Sequence, residues 1–376
     1  MRKLQMVDLK SQYEKIKEEV NASIQDVLEN NTYINGPLVR QFQADLESYL
    51  GVKHVIPCAN GTDALQIAMM GLGLQPGDEV ITADFTFAAT VEVIALLQLT
   101  PVLVDVDMNN MNISLDGIRK AITPKTKAIV PVHLFGRAAN MDAIMEIANE
   151  HNLYVIEDNA QAIGADYTNK NGVKKKVGTI GHVAATSFFP SKNLGCYGDG
   201  GAIFTNDDNL AHIIRGIVNH GMYERYHHDV VGVNSRLDSI QAGVLKAKLP
   251  NLDAYNLARK TAAKKYNEAL AVNSNIVVPS FDFNGDDHVF HQYVIRITNG
   301  KRDALLAHLQ EKEIPCAIYY PIPLHSQKAY ADVRYKEEDF PVTNQLCKEV
   351  IALPMHTELD DEQIKFITDT VLEFLK

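Results

Sequence analysis

A mostly parallel central sheet flanked by helices, with a smaller C-terminal α+β domain behind it, is the α/β fold that this chain predicts, on three observations. Its 376 residues exceed the size at which one core usually stops growing, so two domains are the default. From about residue 50 onward, apolar runs alternate with helical patterns in the rhythm of parallel βαβ units. Near residue 250 that rhythm gives way to a long helical pattern and a few isolated strands. The boundaries follow: a large domain over 1–250, opening with an N-terminal helical arm, and a small domain over 251–376.

The elements can be justified in order. "VITAD" (80 to 84), "PVLVDVD" (101 to 107), "KAIVPVHL" (127 to 134) and "LYVIEDNA" (153 to 160) are near-continuous apolar runs that end in polar residues. Strands buried on both faces have this composition, so a mostly parallel sheet covered by helices is expected. "ATVEVIALLQL" and "NMDAIMEIANEH" supply helical patterns between them. "SFFPSKNLGCYGDGGAIFTND" (187 to 207) reads as a strand ending at a sharp turn at Pro190. In the C-terminal part, "LDAYNLARKTAAKKYNEALA" and "KRDALLAHLQEKE" are helical, and "HVFHQYVIRI" and "IPCAIYY" are expected as strands.

Composition narrows the function classes. The formal net charge of -11 argues against a nucleic-acid or anionic-membrane partner, since either wants a basic face. The first residues lack the apolar core of a signal peptide, and no segment has the uncharged length needed to cross a bilayer, so a cytoplasmic protein is expected. Cys58, Cys196, Cys316 and Cys347 are widely separated, with no CxxC pair, which predicts free thiols and no metal site.

Three stretches carry chemistry. In "PSKNLG", Lys192 stands on a tight turn, with Gly195, Gly198, Gly200 and Gly201 permitting conformations that a Cβ would forbid. In "CANGTDAL", Gly61 and Thr62 would expose N–H groups and a hydroxyl at a helix N-terminus, a ready phosphate site; an ordinary N-cap reads the same way. In "VIEDNAQ", Asp158 ends an apolar strand, where a half-buried carboxylate needs a cationic or N–H partner, or else caps the next helix. Together, an amine on a turn, an acid at a strand end and phosphate donors at a helix end point to pyridoxal 5'-phosphate. That cofactor needs an amine for its Schiff base, an acid beside its pyridine nitrogen and donors for its phosphate. No GxGxxG opens a helix after the first strand, and no GxxxxGK[ST] occurs.

"CANGTDAL", "PGDEVIT", "EDNAQAIGA", "SFFPSKNLGCYGDGGAIFTND", "GVNSRLDSIQAGVL", "YYPIPLH" and "LPMH" together resemble the DegT/StrS-type nucleotide-sugar aminotransferases, over essentially the whole chain. The resemblance implies the type I fold of pyridoxal-phosphate enzymes. It also implies roles: Lys192 as the Schiff-base lysine, Asp158 at the pyridine nitrogen, Gln161 near the ring hydroxyl and Phe85 stacked on the ring. Gly61, Thr62 and Ser187 would bind the phosphate. Asn234 would reach the phosphate from the neighbouring subunit of a homodimer with shared sites. Tyr320 and His325 would line the sugar pocket, with Arg236 from the partner chain; the residues alone also allow Arg236 as a surface ion pair and Tyr320 as a packing residue before Pro321.

By the same resemblance, an amino acid, glutamate by family habit, donates the amino group and a nucleotide-linked keto-sugar receives it. "RYHH" (225 to 228) and "GVNSRLD" are similar to aminotransferases acting at C3 of UDP-2-acetamido-2-deoxy-3-oxo-glucuronate, which serve lipopolysaccharide synthesis. Arg236 would then grip the uronate carboxylate. Tyr319 departs from that pattern, standing where the uronate-specific relatives are expected to carry histidine. The alternatives are C3 amination of a dTDP-3-keto-6-deoxyhexose and, in another class, a non-catalytic pyridoxal-phosphate-binding regulator. The family's dehydratases carry histidine in the lysine's place, which Lys192 argues against.

Overall fold

The computed structural model describes residues 2–283, 285 and 287–376. Seven strands form the main sheet: β1 (His54–Cys58), β2 (Glu79–Ala83), β3 (Thr100–Val104), β4 (Thr126–Val130), β5 (Tyr154–Asp158), β6 (Val183–Ser187) and β7 (Gly201–Thr205). Their spatial order is β1-β7-β6-β5-β4-β2-β3. Neighbours from β6 through β5, β4 and β2 to β3 are parallel, and β7 runs antiparallel between β1 and β6. β7 is buried at all five positions and β4 at all but one, as strands covered on both faces must be. The fold is thus α/β with a mostly parallel central sheet flanked by helices.

The second sheet is antiparallel and small: β8 (Ile276–Val277), β9 (Tyr293–Ile297) and β10 (Val350–Leu353). The helices Leu252–Leu270, Arg302–Glu311 and Asp361–Phe374 cover it with an apolar cluster that includes Tyr266, Tyr293, Leu305 and Ile367. The two parts are not insulated from each other. Val294, Leu346, Cys347, Val350 and Ala352 pack into the same cluster as Ile81, Val104 and Ile129 of the main sheet.

Two expected strands shrink for identifiable reasons. "HVFHQYVIRI" joins the small sheet only from Tyr293, its start at His288 making an isolated bridge to Arg137 instead, because Phe290 has a left-handed φ of 48° and Arg259 takes the carbonyls of Phe290 and His291, each at 3.2 Å. "IPCAIYY" makes one isolated bridge, Ala317 to Ala352. Beyond it the chain turns away through Pro321 and Pro323, which have no N–H to give a ladder.

Candidate active site

The carboxyl ends of β2, β4 and β5, the end of β6 and the N-terminus of the helix Gly61–Gly71 converge on one cavity of about 620 Å³. Ligand sites of open α/β sheets lie at this edge. Of the residues singled out in the sequence, Gly61, Thr62, Asp158, Gln161, Ser187, Lys192 and Tyr320 line it.

Asp158 is the last residue of β5 and is 5% exposed. Thr90 Oγ1 donates to its Oδ2 at 2.8 Å and the Ala160 N–H to its Oδ1 at 3.1 Å. Burial pushes its pKa up; these two bonds and the charges of Lys192 and His133 pull it back without restoring the ordinary value. Asp158 is therefore a carboxyl short of positive charge, which a protonated ring nitrogen would supply.

Lys192 closes a turn in which its N–H donates to the Phe189 carbonyl at 2.8 Å, with Pro190 at the position that favours its fixed φ. Burial lowers its amine pKa to about 8, although Asp158 raises it. A sizeable fraction is then the neutral, nucleophilic amine near neutral pH.

The phosphate end is built by close approach. Asn60 caps the helix by accepting the Asp63 N–H at 2.8 Å, and Gly61 and Thr62, first-turn residues whose N–H groups have no intrahelical acceptor, line the cavity. A Cβ on Gly61 would fall 2.7 Å from Ser187 Cβ, so glycine lets the Ser187 hydroxyl and the helix end share one space. Gly195, Gly198, Gly200 and Gly201 depart from expectation. Positive φ occurs at nine other glycines and at none of these. They are small because neighbours press on them: a Cβ on Gly201 would lie 2.4 Å from the Asn60 carbonyl, and one on Gly195 2.4 Å from the Pro190 oxygen.

On the opposite wall the Phe135 N–H donates to Gln161 Oε1 at 2.6 Å, which fixes the amide so that Nε2 donates to the Tyr320 hydroxyl at 3.2 Å.

Four positions fall elsewhere. Phe85 is 2% exposed in the core beneath the cavity, edge-on to Phe135 and Tyr320, and does not line the cavity, whereas Phe87, 58% exposed, does. Both share one parity, and β2 ends at Ala83, so strand alternation could not choose between them. His325 lies behind the wall, bonded to Asp84 and stacked on Phe340, and does not line the cavity. Asn234 is exposed and Arg236 half-buried, and neither lines the cavity of its own chain.

The sequence reading also missed His291 and Gln292, which line the cavity beside Tyr319. Burial, with the charges of Lys192 and Arg259, holds the His291 imidazole pKa well below its usual value, so it is neutral. Its signal, a histidine inside an apolar run, is the common signature of a packed core residue.

An amine, a buried carboxyl opposite it, and hydroxyls and N–H donors at a helix end fit pyridoxal 5'-phosphate. The model of the DegT/DnrJ/EryC1/StrS aminotransferase family matches residues 14–372. The chain belongs to this family. As a family member it is 46% identical to a pleiotropic regulatory protein of Geobacillus stearothermophilus, over 99% of this chain and 98% of that one. It is also 46% identical to the UDP-2-acetamido-2-deoxy-3-oxo-D-glucuronate aminotransferase of Pseudomonas aeruginosa, over 97% and 98% of the two chains. A dTDP-3-amino-3,4,6-trideoxy-alpha-D-glucose transaminase of Streptomyces venezuelae is 38% identical, over 98% and 95%. Among solved structures, S. venezuelae DesV in complex with a ketimine intermediate superposes with a TM-score of 0.94 at 38% identity, covering 100% of this chain and 99% of that one. This DegT/DnrJ/EryC1/StrS member is a pyridoxal-phosphate-dependent nucleotide-sugar aminotransferase.

Proposed function

We propose that the protein transfers an amino group from L-glutamate to C3 of UDP-2-acetamido-2-deoxy-3-oxo-D-glucuronate, for lipopolysaccharide or another surface polysaccharide. The observation that carries the aminotransferase chemistry is the Lys192 amine, its pKa lowered to about 8, sharing one cavity with the buried carboxyl of Asp158. The Pseudomonas relative's name supports the UDP-linked uronate, and the lower identity to the dTDP-sugar relative supports it over that alternative.

When bound, the cofactor supplies an electron sink for the substrate carbon. In this reading Lys192 holds the cofactor and then moves the proton at that carbon, and Asp158 keeps the ring nitrogen protonated. Gly61, Thr62 and Ser187 bind the phosphate, Gln161 lies by the ring hydroxyl, and Phe87 takes the stacking place first given to Phe85. Tyr319 and Tyr320 face the sugar.

The working unit in this proposal is a homodimer with shared sites. Asn234 and Arg236 miss the cavity of their own chain, and the segment leading to them carries Val231 at 85% and Tyr226 at 76% exposure, more than a solvated loop needs. We place the domain division at 250/251, just before the helix Leu252–Leu270 that covers the small sheet. Among the described residues no helix is long and apolar enough to cross a membrane, and no group of acidic, histidine or cysteine side chains could hold a metal ion.

The deciding experiment is a panel of UDP- and dTDP-linked 3-keto-sugars assayed with glutamate and pyridoxal phosphate. Amination of the UDP-uronate above all others is expected; preference for a dTDP-6-deoxy sugar would overturn the substrate. The name of the Geobacillus relative keeps a regulatory reading in view. Cofactor binding without turnover on any member of the panel would favour it.

A further inference from the structure

We propose that Asp84 and His325 form a positioning pair that fixes the Tyr319–Tyr320 wall and so governs use of the acceptor sugar, leaving cofactor binding to other residues; this rests on the sugar-aminotransferase reading above. Asp84 follows the last residue of β2 and is 1% exposed. Every polar group it has is engaged. Its N–H donates to the Val104 carbonyl at 2.9 Å, and its carbonyl accepts the Leu324 N–H at 3.3 Å. Oδ1 accepts the His325 N–H at 2.7 Å, and Oδ2 shares a hydrogen bond with His325 Nδ1 at 2.7 Å.

Nε2, on the far side of the ring, is buried with no partner among the described residues. The ring lies flat on Phe340, 4.4 Å away. A buried acid and a histidine with one orphaned nitrogen contribute little net stability compared with apolar side chains of the same shape. What the pair does supply is one geometry, because the carboxylate is bonded at both oxygens to a single residue.

That geometry matters for what lies on either side of it in the chain. Phe87 is three residues after Asp84, and Tyr320 is five residues before His325, and both line the cavity. Pro321 and Pro323, with fixed φ, stiffen the path from Tyr320 to His325. Tyr320 meets the rest of the site through Gln161 at 3.2 Å and through the rings of Phe85, Phe87 and Phe135. Among the described residues, the side-chain hydrogen bonds that tie Tyr319–Ser326 to the main-sheet domain are those of Gln161 and Asp84. Lys192, Asp158, Gly61 and Ser187 lie on other elements. Asp84, and with it the start of the path to Phe87, stays held by its N–H to the Val104 carbonyl when His325 lets go, so releasing the pair should disturb the Tyr319–Tyr320 side far more than the cofactor side.

The two half-reactions can be read separately from the absorbance of the holoenzyme: L-glutamate alone, then the aminated enzyme with the UDP-linked keto-sugar. His325→Leu and Asp84→Asn should keep cofactor affinity and the glutamate half-reaction. The sugar half-reaction should fall by about 10²-fold, the scale of a group displaced by about 1 Å. His325→Asn, whose Nδ2–H can still donate to Asp84, should recover most of the loss. Parallel loss in both half-reactions, or an unchanged sugar half-reaction in His325→Leu, would overturn the proposal. Should the leucine variant not fold, Asp84→Asn and His325→Asn make the same comparison. A wild-type enzyme that completes the glutamate step but ignores the UDP-sugar would refute the substrate assignment instead, and the pair is then judged on the dTDP-sugar.

Discussion

Lys192 and Asp158 show how burial prepares two residues of opposite charge for one task. Burial lowers the lysine to about 8 and raises the aspartic acid, while each one's charge works against the other's shift. The lowered lysine gives a measurable outcome. In the cofactor-free protein, acylation of Lys192 followed by peptide mapping should rise with pH about a midpoint near 8, because only the neutral amine reacts and its fraction grows as the pH passes the pKa. A midpoint near 10.5, the value of an ordinary lysine, would show that the amine is not desolvated. Borohydride reduction of the holoenzyme should then leave its label on the same residue. Gln161 illustrates the neutral counterpart of such tuning, since the Phe135 N–H decides which end of its amide faces Tyr320.

At the scale of elements, the site depends on strand ends and one helix end being pressed together. β7 lies antiparallel between β1 and β6, and Gly201 at its start touches the Asn60 carbonyl just where the helix Gly61–Gly71 begins. Gly201→Ala would force two backbone segments apart, since the obstruction is the Asn60 main chain and not a flexible side chain. We expect a loss of about 1–3 kcal/mol of stability from overpacking, together with weaker cofactor binding as the helix end moves from Ser187. Thermal unfolding and a cofactor titration test the two parts, and unaltered affinity would mean that this contact does not set the phosphate end. A second joint acts between the domains: Asp105, just past β3, accepts the N–H groups of Val342 and Thr343 at 2.9 and 2.8 Å and so caps the helix Pro341–Glu349.

For the whole molecule, the open question is whether one chain makes a complete site. In the shared-site proposal, Arg236 of the partner subunit serves the cavity that holds Lys192. Lys192→Ala and Arg236→Ala proteins, each nearly inactive, should then complement when their subunits exchange. A fully exchanged equal mixture should reach about a quarter of wild-type activity, because half of the dimers are mixed and each of those has one intact site. Subunit exchange is followed independently by mass. Exchange without recovered activity would put Arg236 in its own chain's site or outside any site.

Short-range pattern determined much of this protein by itself. Apolar runs ending in polar residues marked β2, β3, β4 and β5, and the turn at Pro190, the cap at Asn60 and the acid ending β5 marked Lys192, Gly61, Thr62 and Asp158, all of which line the cavity. These features are legible because each is a local event, written within a few residues. Only the tertiary structure decided the rest. It put Phe87 and not Phe85 on the cavity wall, where no strand pairing set the parity, turned His325 onto Asp84 from a residue 241 positions away, and brought His291 to the wall through the carbonyls that Arg259 holds. It also turned "IPCAIYY" from an expected strand into the approach to the Tyr319–Tyr320 wall. The physical reason is common to these cases: burial and long-range hydrogen bonds choose among local conformations of similar energy, and the partners that make the choice are remote in sequence.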